Sequence, residues 1–239
     1  MTLPRIMFYD LETTDLDADF GNLVAFGWKV LGEKDAHVLS LLDTNKVCKT
    51  CGRVDAVDDK PLVVQAHKIL SSADMWVTWY GKGFDAKFIN TRILDAKLEP
   101  LPDIPHVDLY WTARGKLKLS SNRLASVQNF LQLPTAKTPI TKRAWRRAQA
   151  GDVKSIEYIV EHCEKDVDVL EQAYERLRPY VSTHPRVNGV DPCRVCGGNV
   201  QRRGTALTTL KGPRMRVQCT ECAHWETRQI PKVTPRRAA

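Results

Sequence analysis

The sequence predicts an α/β protein in which helices flank a mixed sheet, followed by a small, separate β domain. Two observations predict this architecture. Strand-like segments come first and then alternate with helical ones, and the end of the chain differs in charge from the rest. Residues 1–183 hold 25 basic and 25 acidic side chains, whereas residues 184–239 hold 11 basic and three acidic ones, which gives the whole formal charge of +8. We therefore expect a neutral body followed by a basic tail.

The strands are predicted from short apolar runs that are rich in β-branched and aromatic residues. In chain order they are Arg5–Leu11, Leu23–Val30, His37–Leu42, Met75–Tyr80 and His106–Tyr110. Residues 44–60 are polar, and we expect a loop or an extended hairpin there. The helices are predicted from apolar residues that recur every three or four positions. They are Pro61–Ser72, Phe84–Lys97, a region from Asn122 that is interrupted at Pro134 and Pro139, and Lys154–Tyr180.

The composition excludes several classes of protein. With 43% hydrophobic residues the chain is not a disordered one, and it lacks an apolar run long enough to cross a membrane. Its first residues do not resemble a signal peptide. We therefore expect a cytoplasmic protein without a membrane partner. In that compartment, the CxxC pairs among its seven cysteines favour metal binding over disulfides.

Asp10 and Glu12 stand two positions apart at the end of the first predicted strand. Because the side chains of a strand alternate, both carboxylates point to one face, where they repel each other unless a cation joins them. Such a pair can hold a divalent metal ion through hard oxygen ligands. On these residues alone an acidic surface loop is the better interpretation, since Asp15, Asp17 and Asp19 follow.

Two further acids stand where a site is expected. Asp85 is the first residue of a predicted helix that follows a glycine-flanked turn. It is either an acid that the helix dipole stabilises, or a site residue at the sheet edge where α/β proteins bind their ligands. Asp166 falls on the apolar stripe of the last helix, and a buried carboxylate needs a cation or strong hydrogen bonds. His162, one turn earlier, is a structural histidine or a candidate general base. Asp168 lies off the stripe, and we expect it to be a solvated charge.

The segments around these acids resemble a known family. FYDLETT, WYGKGFDAKFINTRIL and HCEKDVDVL are similar, in this order, to the three motifs of DEDD-type 3′–5′ exonucleases, the DnaQ-like group. The resemblance covers roughly residues 5–180 and implies a ribonuclease H-like fold. Within that superfamily, the GKGFD turn and the segment DLYWTARGKLKLSSNRLASVQNFL look most like polymerase-B-related predicted exonucleases of bacteria and phages.

Carried over residue by residue, the resemblance implies four carboxylate ligands for two Mg²⁺ or Mn²⁺ ions, namely Asp10, Glu12, Asp85 and Asp166. It also implies His162 as the base in two-metal phosphodiester hydrolysis. In the family the residues just after the first motif contact the terminal nucleotide, so Thr13 and Leu16 are expected beside the substrate. The chain departs from the family in one respect. Three residues separate His162 from Asp166, which is the spacing of the tyrosine subclass, so the subclass stays open.

Two CxxC pairs in the tail, Cys193/Cys196 and Cys219/Cys222, are separated by 22 residues. This spacing is typical of a structural site in which four thiolates fill all the positions around one Zn²⁺ ion, and disulfides are the alternative. The residues between the pairs read as a hairpin, with strands VQRRG and RMRVQ around a Gly-Pro turn. The tail thus resembles a zinc ribbon.

The basic residues of this ribbon are expected to contact a nucleic-acid backbone, with Trp225 as a stacking partner for a base. They are Arg202, Arg203, Lys211, Arg214 and Arg216. A solvated hairpin without a partner is the alternative. We expect an exonuclease domain at residues 1–183, the ribbon at residues 184–232 and a disordered basic end at residues 233–239.

Two features have no assigned role. Cys48 and Cys51 form a third CxxC pair, which is a free surface pair, an occasional disulfide, or half of a zinc site completed by a second subunit or a remote histidine. A basic cluster is either a solvated helix face or a track for a single strand; it comprises Arg143, Trp145, Arg146 and Arg147.

The sequence as a whole predicts a metal-dependent 3′–5′ exonuclease. The expected partners are 3′ ends of single-stranded DNA or RNA, with DNA favoured, and a DNA polymerase or another replication or repair protein. Two alternatives remain at this point. One is a structure-specific endonuclease of the same fold, and the other is a non-catalytic nucleic-acid-binding protein with a vestigial nuclease body.

Overall fold

The computed structural model describes residues 4–54, 57–134, 140–181, 193–209 and 212–229. The chain divides into two compact units, Met1–Leu177 and Arg178–Ala239. The domain boundary expected after residue 183 and the basic end at residues 233–239 lie outside the described residues.

A five-stranded mixed sheet forms the centre of the first unit. Its strands are β1 (Ile6–Thr13), β2 (Leu23–Val30), β3 (His37–Ser40), β6 (Met75–Thr78) and β7 (His106–Asp108). Between β3 and β6, the strands β4 (Val47–Cys48) and β5 (Arg53–Val54) form a separate small hairpin. The order in the sheet is β3-β2-β1-β6-β7. β2 is antiparallel to β1 and β3, whereas β6 is parallel to β1 and β7. The predicted mixed α/β fold is confirmed.

Helices connect and cover these strands. They are α1 (Leu41–Thr44), α2 (Lys60–Leu70), α3 (Asp85–Asp95), α4 (Leu109–Lys116), α5 (Leu124–Leu131), α6 (Lys142–Gln149) and α7 (Val153–Leu177). Pro61 occupies the first turn of α2, where its missing N–H costs no helical hydrogen bond. The last helix continues into a short 3-10 turn at Arg178–Tyr180.

Three predicted strands end two residues earlier than expected, at Ser40, Thr78 and Asp108. At Ser40 and Asp108 the reason is that a polar residue caps a helix. The side chain of Ser40 accepts from the start of α1, and Asp43 bonds back to the backbone of Ser40, which forms a capping box. Asp108 accepts from the backbone N–H of Tyr110, so α4 begins where the strand was expected to continue. The predictions of strand through Leu42 and through Tyr110 are wrong at these ends.

α7 packs against β1 and β2. Its apolar face is fully buried and includes Ile156, Ile159, Cys163 and Leu170. The opposite edge of the same contact is ionic, because Nζ of Lys29 in β2 lies 2.9 Å from Asp168 and 2.8 Å from Glu171. The expectation that Asp168 is a solvated charge is therefore wrong. A lysine buried on β2 reaches across to it and ties the strand to the helix.

The second unit contains an antiparallel sheet of three strands in the order β10-β9-β8. They are β8 (Val200–Thr209), β9 (Gly212–Cys219) and β10 (Trp225–Gln229). The predicted hairpin corresponds to β8 and β9, whereas β10 was not predicted. Across the ranges that the structure describes, no helix combines the length and the apolar character needed to cross a membrane.

Candidate active site

The carboxyl ends of three parallel strands meet at one edge of the sheet. β1 ends with Asp10 and Glu12, the turn after β6 leads to Asp85, and β7 ends with Asp108. Such an edge is where open α/β sheets bind their ligands, because the loops that follow the strands converge there. The sequence elements that carry the predicted carboxylates therefore lie together.

Asp10 and Glu12 face the same side of β1, as the alternation of a strand requires. One carboxylate oxygen of each lies with Sγ of Cys163 in a group whose members are all within 4.8 Å of one another. Glu12 is buried, with 8% of its surface exposed, while Asp10 is half-buried. Two acids this close repel each other in the absence of a cation, so this arrangement favours the binding of a cation.

α7 adds His162 and Asp166 to the same place. Nε2 of His162 lies 3.7 Å from Oε1 of Glu12 and 3.5 Å from Oδ2 of Asp166, and all three side chains are buried. Their ligand atoms form a second group within 4.8 Å, and Glu12 belongs to both groups. The structure thus brings Asp10, Glu12, His162 and Asp166 together. We call these four residues the carboxylate cluster.

Asp85 is connected to this cluster through the backbone. Its Oδ1 accepts from the N–H of Leu11, at 3.1 Å, and Leu11 stands between Asp10 and Glu12. In the described residues, the close groups of metal-ligand atoms do not include Asp85. Burial raises the pKa of Asp85 to about 7, and the charge of Asp108 adds to this effect. A carboxyl in this state is poised to lose its proton when a cation is nearby.

The position of α7 depends on a glycine in β2. A Cβ on Gly27 would lie 2.7 Å from Sγ of Cys163 and 2.9 Å from Cγ2 of Val167, so only glycine permits this approach. Burial raises the pKa of the Cys163 thiol well above its usual value, and the charges of Asp10 and neighbouring acids add to this. The thiol therefore stays neutral and serves as a packing element beneath the carboxylate cluster.

Asp108 is an acid that the sequence did not identify as part of the site. Its carboxylate accepts from the backbone N–H groups of Tyr80 (2.9 Å), Lys82 (3.0 Å) and Tyr110 (3.1 Å). Tyr80 has a φ of 65°, a conformation that costs a non-glycine residue of the order of 1 kcal/mol. Asp108 thus holds the turn that leads into Asp85. An acid at the end of a short strand was the available signal.

Exposed aromatic rings stand at the same edge of the sheet. The rings of Tyr80 and Tyr110 meet edge-to-face with centroids 4.8 Å apart, and Trp111 is 50% exposed. The guanidinium of Arg114 lies 5.5 Å from the centroid of Trp111. Exposed rings of this kind stack on nucleobases. Sequence reasoning missed them because Tyr80 and Tyr110 were placed at the ends of predicted strands, where aromatic residues usually belong to a core. We call Tyr80, Tyr110 and Trp111 the aromatic platform.

The other residues predicted in the first unit have separate surroundings. Oγ1 of Thr13 donates to the backbone oxygen of Asp15 at 2.7 Å, while Leu16 is 79% exposed beside the end of β1. In α6, Trp145 packs against the core, and Arg147 forms a 2.9 Å ion pair with Asp152. Arg143 and Arg146 are exposed.

In the second unit the four predicted cysteines form one cluster. The Sγ atoms of Cys193 and Cys222 are 3.6 Å apart, those of Cys196 and Cys219 are 3.4 Å apart, and all four lie within 4.8 Å of one another. Against the effect of burial, the backbone N–H donors of Cys222 and Glu221 lower the pKa of Cys219. The cluster is compatible with a zinc ribbon, since four converging thiolates are the ligand set of a structural zinc site.

The pairing of the strands sorts the predicted basic residues of this unit onto two faces. Arg203 pairs with Arg216 and Arg216 with Thr227, while Trp225 pairs with Gln218, so the alternation of the strands puts Arg203, Arg214, Arg216 and Trp225 on one face. Trp225 is 53% exposed. Arg202 belongs to the other face, and Lys211 lies outside the described residues. We call Arg203, Arg214, Arg216 and Trp225 the basic face.

Arg228 does not contribute an exposed charge to this unit. Its side chain is only 8% exposed, and its Nε donates to Oε1 of Glu226 at 2.9 Å. Oε2 of the same carboxylate lies 3.0 Å from Nε of Arg194, so Glu226 forms ion pairs with two arginines.

Comparisons with known proteins agree with this fold. The sequence profile of the RNase H superfamily matches residues 7–178. Over 134 residues the chain is 27% identical to the PolC-type DNA polymerase III of Ureaplasma parvum. This alignment covers 51% of this chain and 9% of the polymerase. The structure resembles the family B DNA polymerase from the archaeon Pyrobaculum calidifontis with a TM-score of 0.55 and 12% identity, over 76% of this chain and 26% of the other. The chain therefore spans only a small part of both polymerases.

Proposed function

Because the chain belongs to the RNase H superfamily, we propose that it is a metal-dependent exonuclease that removes nucleotides from the 3′ end of single-stranded nucleic acid, with DNA favoured. The observation that carries this proposal is the carboxylate cluster, in which acids from β1 and α7 meet around one histidine. The similarity to two DNA polymerases supports a nucleic-acid substrate. The order of the sequence motifs supports attack at a 3′ end.

The residues present fit divalent metal ions. Asp10, Glu12 and Asp166 offer hard oxygen ligands, which Mg²⁺ and Mn²⁺ prefer, and Asp85 is a fourth carboxylate tied to the same strand. Burying several carboxylates without a cation costs several kcal/mol, because each charge loses its hydration. When bound, two such ions supply a water of lowered pKa and stabilise charge on the scissile phosphate.

His162 is proposed as the group that takes the proton from water. Its Nε2 points at the carboxylates of Glu12 and Asp166, which orient the ring and stabilise the imidazolium that forms. The water oxygen attacks the terminal phosphorus while the bond from phosphorus to the preceding O3′ breaks. The departing O3′ takes a proton from solvent. The products are a 5′-mononucleotide and a strand that is one nucleotide shorter and ends in a 3′ hydroxyl.

Other parts of the chain are proposed to hold the strand. The aromatic platform offers stacking for bases next to the cluster, and Thr13 and Leu16 lie beside the end of β1, where the terminal nucleotide is expected. In the second unit, the basic face offers three arginines to phosphates and one tryptophan to a base. A zinc ion in the four-cysteine cluster would be structural, since thiolates fill all four positions.

Single-stranded DNA oligonucleotides labelled at either end test this proposal. In Mg²⁺ the 3′-labelled strand should release a mononucleotide at once, while the 5′-labelled strand should shorten one nucleotide at a time. Internal fragments of both strands would instead indicate an endonuclease. An intact but retarded band would indicate a binding protein without activity. A matched RNA oligonucleotide in the same assay decides the preference between DNA and RNA.

A further inference from the structure

The third CxxC pair has the geometry of a metal-binding knuckle. Cys48 and Cys51 flank the turn of the β4–β5 hairpin, where Cys51 is exposed and Cys48 half-buried. The N–H of Cys51 donates to Sγ of Cys48 at 3.3 Å, and the N–H of Gly52 donates to the backbone oxygen of Cys48 at 3.0 Å. Hydrogen bonds from backbone N–H groups to sulfur stabilise a thiolate, which is the form that binds metal.

The two knuckles of the four-cysteine cluster have the same features. Each CxxC pair in the chain is followed by a residue with positive φ, which is 63° at Gly52, 72° at Gly197 and 58° at Ala223. The N–H of Gly197 donates to the backbone oxygen of Cys193 at 2.9 Å, as Gly52 does to Cys48. The N–H of Cys222 donates to Sγ of Cys219 at 3.5 Å. The β4–β5 hairpin therefore has the same turn as the two CxxC pairs of the four-cysteine cluster, although it lies outside that cluster.

The hairpin is held in place by the start of α7. The N–H of Val54 donates to the oxygen of Gly151 at 2.8 Å, and the N–H of Val153 donates to the oxygen of Gly52 at 3.3 Å. A Cβ on Gly151 would lie 3.0 Å from the oxygen of Val54, so the contact is close. A knuckle fixed in this way is preorganised, and a ligand does not have to order it on binding.

Each knuckle supplies two of the four ligands that a structural zinc ion needs. The ribbon completes four ligands by bringing two knuckles together, whereas the Cys48–Cys51 pair belongs to none of the groups of three or more ligand atoms found among the described residues. A second copy of this chain carries the same exposed pair, and two copies related by a two-fold axis would complete a tetrahedral site. The exposed residues Lys49 and Arg53 would offset the net negative charge of four thiolates on one zinc ion.

We propose that Cys48 and Cys51 form a second thiolate zinc site, in which one Zn²⁺ ion joins two copies of the chain. The site uses the same chemistry as the zinc proposed for the four-cysteine cluster, but it is separate from that cluster and from the nuclease activity. Zinc content and oligomeric state test it together.

The full-length protein, purified with a non-thiol reductant and dialysed free of loose metal, should contain about 1.5 zinc ions per chain, one in the ribbon and half of a shared one. It should sediment as a dimer that a chelator converts to a monomer. Cys48→Ser/Cys51→Ser should contain about one zinc ion per chain and remain a monomer, with the same circular dichroism and the same nuclease rate per chain.

Cys193→Ser/Cys196→Ser is the matched control, because it should lose the ribbon zinc and keep the zinc-dependent dimer. Equal zinc content and equal sedimentation of the wild type and Cys48→Ser/Cys51→Ser would overturn the proposal. About two zinc ions in a wild-type monomer would also overturn it, since the site would then be complete within one chain. A Cys48–Cys51 disulfide that persists in the reductant would overturn it as well.

Discussion

Gly27 lies directly opposite Asp10 in the antiparallel register of β1 and β2, and the absent side chain of Gly27 is the space into which Cys163 packs. The thiol of Cys163 in turn lies 3.9 Å from the backbone oxygen of Asp10. This contact sets how closely α7 approaches the sheet. α7 carries His162 and Asp166, and β1 carries Asp10 and Glu12. Gly27 therefore determines how close the two halves of the carboxylate cluster come to each other.

Gly27→Ala should therefore weaken both the fold and the activity. The added methyl group would force α7 outward, and overpacking of this kind costs about 1–3 kcal/mol. We expect a lower free energy of unfolding in urea and a lower kcat on a single-stranded oligonucleotide. The matched control is Gly115→Ala in α4, where an added Cβ meets nothing within 4 Å and should stabilise the helix slightly. An unchanged kcat in Gly27→Ala would contradict this role.

Asp85 should make the stability of the metal-free protein depend on pH. Its pKa is about 7 in the folded protein and near 3.8 in the unfolded chain, so between these values the folded state holds a proton that the unfolded state releases. The contribution of Asp85 to stability is thus present at low pH and is lost as pH rises from about 4 to about 7, by roughly 3–4 kcal/mol.

The comparison with Asp85→Asn isolates this contribution, since the amide stays neutral and can still accept from Leu11. In a chelator, the unfolding free energy of the wild type minus that of Asp85→Asn should fall steadily from pH 4 to pH 7, and saturating Mg²⁺ should reduce the fall. Burial lowers the pKa of His106 to about 4, which gives a slope of opposite sign, but both proteins share it and it cancels. A difference that does not change with pH would contradict the prediction.

Asp108→Ala should weaken substrate binding more than it slows the chemical step. The change leaves the N–H groups of Tyr80, Lys82 and Tyr110 without their acceptor, which we expect to cost about 2–4 kcal/mol of stability. The aromatic platform would then lose its fixed position, and KM for single-stranded DNA should rise by a larger factor than kcat falls. Asp103→Ala, an exposed acid before the same strand, is the control and should change neither. Equal effects of the two substitutions would exclude the positioning role of Asp108.

The basic face of the second unit should bind phosphates rather than particular bases. Arg203→Ala/Arg216→Ala should weaken binding of single-stranded DNA and reduce the slope of log affinity against log salt by about 1.4, since each lost contact in single strands accounts for about 0.7. Arg202→Ala on the opposite face is the matched control. Equal losses from Arg202→Ala and Arg203→Ala would show that the face has no special role.

The sequence predicted those parts of the fold that depend on local pattern. Leu23–Val30 was predicted to the residue because an apolar run of that length has few alternatives. The proximity of Asp166 to Glu12 was expected because the segments that carry them resemble, in the same order, the motifs of one family. By contrast, Asp108 and Ser40 look like ordinary strand residues until their side chains are seen to cap a helix. The local pattern does not show what a polar side chain bonds to.

Long-range ion pairs were beyond prediction for the same reason. Asp168 was expected to be solvated because it lies off the apolar stripe of α7, yet Lys29, 139 residues earlier, reaches it. The aromatic platform likewise depends on the left-handed turn at Tyr80, which no pattern of apolar residues indicates.

One measurement tests the central claim most directly, namely that the carboxylate cluster cleaves nucleic acid from the 3′ end. The single-turnover rate of shortening of a 5′-labelled single strand in Mg²⁺ should be measured for the wild type, Asp166→Asn and Glu164→Gln, which removes an exposed acid from the same helix. We expect stepwise shortening with the wild type and Glu164→Gln, and none above background with a folded Asp166→Asn. Stepwise shortening by Asp166→Asn at the rate of the wild type would contradict the claim.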